Sequence, residues 1–124
     1  MSTILRVTLG QASLAGDHDT NQDFHGALLP RGHQLASKGI ALALADGISS
    51  SQVSQIASQT AVRSFLEDYY ATSEAWSVRR AAERVLSATN AWLHSQTMGG
   101  DGRFEKDRGY VCTFSALILK GRDL

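Results

Sequence analysis

The eight residues Ile40-Ala41-Leu42-Ala43-Leu44-Ala45-Asp46-Gly47 constrain the fold more than any other stretch of this chain. Six apolar residues in succession end in a carboxylate and a glycine. A short apolar run closed by a turn signal reads as a strand buried on both faces. An ionisable group at the end of such a strand costs free energy unless something pairs with it. Asp46 is therefore either a well-satisfied turn residue or part of a site. A second acidic turn upstream, Asn21-Gln22-Asp23, gives the site reading a second component.

The chain's 124 residues suffice for one domain of modest size. With 43% hydrophobic and 19% charged residues, the composition is that of a globular domain and excludes a disordered one. Lys+Arg and Asp+Glu both number 12, so no net charge draws the chain to nucleic acid or to an anionic membrane. The longest cationic run is the pair Arg79-Arg80. The single cysteine, Cys112, rules out an internal disulfide framework and reads as a small buried hydrophobe within an apolar run. The first residues lack the basic and apolar regions of a secretory signal. No run approaches the roughly 18 apolar residues of a membrane span. A cytoplasmic location, without membrane contact, is the resulting expectation.

Leu5, Val7 and Leu9 alternate with polar residues at the period of a half-buried strand. The stretch 16–23 is polar and rich in turn formers. Residues 24–29 form a second expected strand, stopped by Pro30, and residues 31–39 read as a loop between hairpin strands. Residues 40–46 are the third and most buried strand. The period then changes. Val53, Ile56, Ala57, Thr60, Ala61, Phe65, Leu66 and Tyr69 recur at helical spacing. Ser49 followed by Gln52 fits a capping box at the start of that helix. A second helix is expected from Thr72 or Ser73, with Val78, Ala82, Val85, Leu86, Thr89 and Leu93 on its apolar stripe. Trp76 and Trp92 are expected to pack against a sheet or the other helix. Met98 to Arg108, with Gly99-Gly100-Asp101-Gly102 and several charges, reads as a loop that lacks the phosphate-cradling Walker pattern. Residues 110–119 form a last strand, and Lys120-Gly121-Arg122-Asp123 the turn after it. The order β-β-β-α-α-β predicts an α+β fold with helices on one face of a largely antiparallel sheet.

Carboxylates delivered by turns at strand ends suit hard divalent cations. Mg²⁺ and Mn²⁺ favour oxygen ligands, near-octahedral geometry and retained waters. A glycine after the ligand lets the backbone approach the ion. No His-x-x-x-His, Cys-x-x-Cys or Glu-x-x-His pattern occurs, so zinc and di-iron sites lack support. His18, His25, His33 and His94 share no ligand spacing. Ser-His-Asp catalysis lacks its Gly-x-Ser-x-Gly elbow, and Ser49-Ser50-Ser51 stands where a helix cap is needed.

In order along the chain, His18-Asp19-Thr20-Asn21-Gln22-Asp23-Phe24, Leu44-Ala45-Asp46-Gly47, two long helices and Cys112-Thr113-Phe114-Ser115-Ala116-Leu117 resemble the N-terminal half of the bacterial metal-dependent protein serine/threonine phosphatases of type 2C. The likeness extends over nearly the whole chain, residues 1–124. Asn21 to Gly26 and Ile48-Ser49-Ser50-Ser51 are most similar to a subgroup in which the phosphatase domain precedes a serine/threonine kinase domain. The resemblance implies part of an α-β-β-α sandwich of two antiparallel sheets, with two Mg²⁺ or Mn²⁺ ions at one end. It implies hydrolysis of phosphoserine or phosphothreonine in phosphoprotein substrates of signal transduction, without a phosphoenzyme. Carried over by position, Asp23 and Asp46 are metal ligands, Gly47 adds its carbonyl oxygen and His18 stands at the phosphate position.

Several positions depart from that family. Its phosphate-binding arginine is His18, which cannot offer a bidentate fork. Its acidic residue before the metal aspartate is Gln22, and its glycines after Asp-Gly are Ile48 and Ser49. A later Gly-Asp-Ser/Ala-Arg strand and further aspartates have no counterpart. The expectation is a weakly active or inactive half-domain that self-associates through uncovered sheet. The alternative is a non-catalytic phosphatase-like module that binds a partner or regulates an attached kinase domain.

Overall fold

The run that ends in Asp46-Gly47 is the central strand of a three-stranded antiparallel sheet. The computed structural model describes residues 6–48, 53–99 and 109–121. β1 (Asp23–Leu28) and β3 (Cys112–Leu119) flank β2 (Ile40–Gly47), and three helices complete the order: α1 (His33–Ser37), α2 (Ser54–Ala71) and α3 (Val78–Gly99). The class is α+β, as the sequence predicts.

Beyond its first residue, the buried Ile40, β2 is covered on one face only, which corrects the expectation for its six apolar residues. Ala41, Ala43 and Ala45 point toward α2 and are buried, whereas Leu42 is half-buried and Leu44 is 51% exposed on the other face. The run is thus an alternation of small and large residues that hydrophobicity alone conceals. The small side chains have a packing role. They let α2 lie close to the sheet, where Val62, Phe65, Leu66 and Tyr69 fill the space together with Ala81 and Val85 of α3. Gly26 of β1 serves the same approach, since a Cβ there would stand 2.9 Å from Leu66 Cδ1. The Phe65 ring stacks on Tyr69 at 5.9 Å and tilts against Phe114 of β3 at 5.3 Å. Burying such an aromatic side chain contributes about 1.5–3 kcal/mol. A second cluster joins Ala57 and Ala61 of α2 to Leu93 of α3.

Polar contacts hold the sheet end remote from Asp46. Tyr69 donates its hydroxyl to the Lys38 carbonyl at 2.7 Å, and Tyr70 donates to the Gly39 carbonyl at 2.7 Å. The buried Lys38 ammonium donates to Thr72 Oγ1 at 2.6 Å and to the Ser73 carbonyl at 2.8 Å. A lysine thus binds the carbonyl-rich C-terminus of α2, where cations are favoured. Burial pushes its pKa below the ordinary lysine value.

Other boundaries differ from the sequence reading. Residues 6–10 carry no strand, and Leu5 lies outside the described residues. The expected loop 31–39 contains α1. α3 begins at Val78, later than Thr72 or Ser73. Ser77 caps it, its hydroxyl accepting the Arg80 N–H at 3.1 Å, while Trp76 N–H bonds the Ser73 carbonyl in a preceding turn. α3 continues through Met98 and Gly99, the start of the expected loop, because the helical hydrogen bonding runs on past the apolar stripe. The rest of that loop (100–108), the residues of the expected capping box (49–52) and residues 122–124 lie outside the described residues. Trp76 packs at the core margin with Arg80 above its ring at 4.6 Å. Trp92, by contrast, is 45% exposed and, among the described residues, meets the edge of the Tyr110 ring. Cys112 is half-buried beneath the helices, and burial raises its thiol pKa. The described residues form one sheet, so the second sheet of the expected sandwich is not among them.

Candidate functional site: a carboxylate pair at the sheet end

The ladder places Asp23 of β1 directly opposite Asp46 of β2, and Asp46 directly opposite Thr113 of β3. Directly opposed residues of an antiparallel pair project from the same face. Asp23, Asp46 and Thr113 therefore form one row on the face turned away from α2. Two strand-end carboxylates 23 residues apart along the chain, counted from Asp23 to Asp46, become neighbours through a single strand pairing, and Asp46-Gly47, expected as a turn, lies within β2.

Local bonds shape the entry to this row. Asn21 Oδ1 accepts the Asp23 N–H at 3.1 Å, an Asx turn, while Asn21 Nδ2 donates to Ser13 Oγ at 2.8 Å. Gly47 N–H continues the β1–β2 pairing to the Gln22 carbonyl at 3.2 Å. Thr113 Oγ1 reaches the Asp46 carbonyl at 3.4 Å.

The electrostatics follow from two carboxyl groups side by side. A hydrogen bond between the Asp23 and Asp46 carboxyls raises the Asp23 pKa above the ordinary value, and slight burial and the Asp46 charge add to it. The charge of His18 acts in the opposite direction, which locates His18 within electrostatic reach of Asp23. Like charges this close need a cation or a shared proton.

Of the residues expected at a site, Asp23, Asp46 and Gly47 therefore meet at one sheet end, with His18 on the turn beside them. Gln22 adds its backbone carbonyl to the same corner. Among the described residues, no three His, Cys, Asp or Glu side chains converge. The donor set is two carboxylates and one adjacent backbone carbonyl. It fits a hard cation that keeps much of its water shell, as Mg²⁺ and Mn²⁺ do.

Two features escape sequence reasoning. Ser54 sits on the sheet-facing side of α2, fully buried, where the helical pattern calls for an apolar residue. That anomaly is the only trace it leaves in the sequence. The second is a groove of about 480 Å³ on the face away from the helices, lined by Leu42, Leu44 and Leu117 with Leu9 and Gln11 of the N-terminal segment. Gln11 Oε1 lies 2.8 Å from His25 Nδ1 and ties that segment to β1.

No protein-family model, curated protein or solved structure matches this chain.

Proposed function

We propose that this chain is the N-terminal half of a metal-dependent protein serine/threonine phosphatase domain of the type 2C kind, binding Mg²⁺ or Mn²⁺ at Asp23, Asp46 and Gly47. The observation that supports it best is the cross-strand pairing of Asp23 with Asp46. The resemblance singles out these two residues from motifs far apart in the chain, and the ladder sets them face to face. When bound, such ions activate water and neutralise a phosphoryl group. The chain's own residues hold the ions, offset their charge and fix one carbonyl. His18 stands at the family's phosphate-binding position, where an imidazole would offer a phosphate a single-point contact in place of a guanidinium fork. The reading carries with it a phosphoprotein substrate, a role in signalling and a cytoplasmic location. No helix among the described residues is long and apolar enough to cross a membrane.

Two carboxylates do not fix two ions, so this half is expected to turn over substrate weakly or not at all by itself. The test is manganese-dependent hydrolysis of a phosphopeptide, by this chain and by a longer polypeptide that supplies the second half. A longer protein that binds manganese normally yet stays inert refutes the enzymatic reading. The alternative, a non-catalytic phosphatase-like module regulating a partner or an attached kinase domain, draws support from His18 and Gln22 at positions where the family has arginine and an acid. Asp46→Asn separates the two: it abolishes catalysis in the longer enzyme and leaves partner binding intact.

The uncovered leucines supply a further part of the proposal. Leu44 and Leu117, 51% and 46% exposed, stand on one sheet face, the first on the central strand and the second on the edge strand β3. Such a surface supports self-association of the chain when no other layer covers it.

A further inference from the structure

The geometry points to Ser54 as the positioning residue for the Gly47 carbonyl, an inference that rests on the metal-site reading above. In the β2–β3 ladder Gly47 pairs with Cys112, so the next rung would join Ile48 to Val111. That rung is not closed directly. The Ser54 hydroxyl stands in it, accepting the Ile48 N–H at 3.0 Å and donating to the Val111 carbonyl at 3.1 Å. The hydroxyl thus uses both donor and acceptor capacity, and it does so fully buried.

The consequence lies in the peptide unit itself. The Ile48 N–H and the Gly47 carbonyl belong to one planar group, and no peptide bond in the described residues is cis. Fixing the N–H toward β3 therefore fixes the carbonyl in the opposite direction, toward the β1 edge. That is the edge on which Gly47 N–H meets the Gln22 carbonyl, beside Asp23. The ordinary alternative, a direct Ile48–Val111 rung, would draw the strand end toward β3 by the width of a hydroxyl. Ser54 also packs against the Gly47 backbone, where a Cβ would stand 2.7 Å from Ser54 Cβ. One serine on α2 thereby sets the direction of the carbonyl that follows Asp46. Ser58, one turn later and equally buried, makes no hydrogen bond through its hydroxyl among the described residues and has no such role.

The experiment is Mn²⁺ titration of the whole chain by calorimetry, comparing Ser54→Ala with Ser58→Ala. Loss of a group that orients a ligand costs about 10–100-fold in metal affinity. Ser54→Ala should show at least the lower figure and Ser58→Ala no change. Wild-type binding with Ser54→Ala within twofold of it overturns the positioning role and leaves the metal site standing. Absence of Mn²⁺ binding by the wild type overturns the metal site and this inference with it. If Ser54→Ala does not fold, a Mg²⁺ titration of the wild type by carbon-detected NMR decides. The Gly47 carbonyl carbon should move together with the Asp46 carboxyl carbon; an Asp46 shift with a stationary Gly47 carbonyl overturns the proposal.

Discussion

Gly47 is held to glycine by space, and its consequences can be measured. Its φ is not in the left-handed region, so the restriction is the contact with Ser54 and with Gln22 Cβ. Gly47→Ala forces the first turn of α2 away from β2 and should cost about 1–3 kcal/mol, as overpacking does. Urea unfolding with an unchanged slope and a lower midpoint is the expected result. Asp23 makes a second prediction at this scale. Its pKa is raised in the folded state, so the folded state holds the proton more tightly than the unfolded chain. The associated stability is full below the ordinary aspartate pKa and is lost as pH rises through the raised value. Glu74 has the opposite sign, because its hydrogen bond from His33 lowers its pKa and its contribution is lost as pH falls through that lowered value. The Asp23 effect is therefore read by difference. Asp23→Asn should flatten the wild-type decline just above the ordinary aspartate range, and an unchanged pH profile would rule out the shared proton.

Among the elements, α2 connects the core to the candidate site. Its middle carries Phe65 between Tyr69 and Phe114, so Phe65→Ala should cost about 3–5 kcal/mol through transfer and cavity terms together. Its end carries the Tyr69 hydroxyl on the Lys38 carbonyl, and Tyr69→Phe leaves that buried acceptor short by one donor, at about 1–3 kcal/mol. Both are checked by chemical denaturation. The two variants differ in what they do to the carboxylate pair. Phe65 shares the core cluster with Ala45, the neighbour of Asp46, whereas the Tyr69 hydroxyl is bound at the far end of the sheet. Why α2 starts where it does was not deducible from local signals. Its first residue, Ser54, is used to bridge two strands, and the residue before it, Val53, makes no side-chain cap.

The whole molecule is a two-layer object, helices on one side of a sheet and an apolar groove on the other. If that groove drives association, Leu44→Lys with Leu117→Lys should convert a concentration-dependent assembly into a monomer by sedimentation velocity, with helical content unchanged. A wild-type chain that stays monomeric at high concentration sinks the association reading. The layering also explains which expectations failed. The alternation of Leu5, Val7 and Leu9 matches a strand, yet residues 6–10 carry no strand, and Leu9 and Gly10 line the groove instead. Period-2 patterning records which side of a segment meets apolar surface. It does not record whether a partner strand is there to accept its hydrogen bonds.

Short-range periodicity was enough for three strands and both long helices, and turn chemistry for the Asx turn at Asn21, whereas Asp46-Gly47, read as a turn, closes β2 inside the ladder. Tertiary structure alone decided the rest. It chose which face of Ile40–Gly47 is covered, since alanine and leucine are both apolar and only the approach of α2 tells them apart. It set Asp23 opposite Asp46, since register is a property of two strands and neither contains it. And it placed Ser54 in the ladder beside Gly47, because a hydroxyl finds such a position only after a helix has been laid across the end of a sheet.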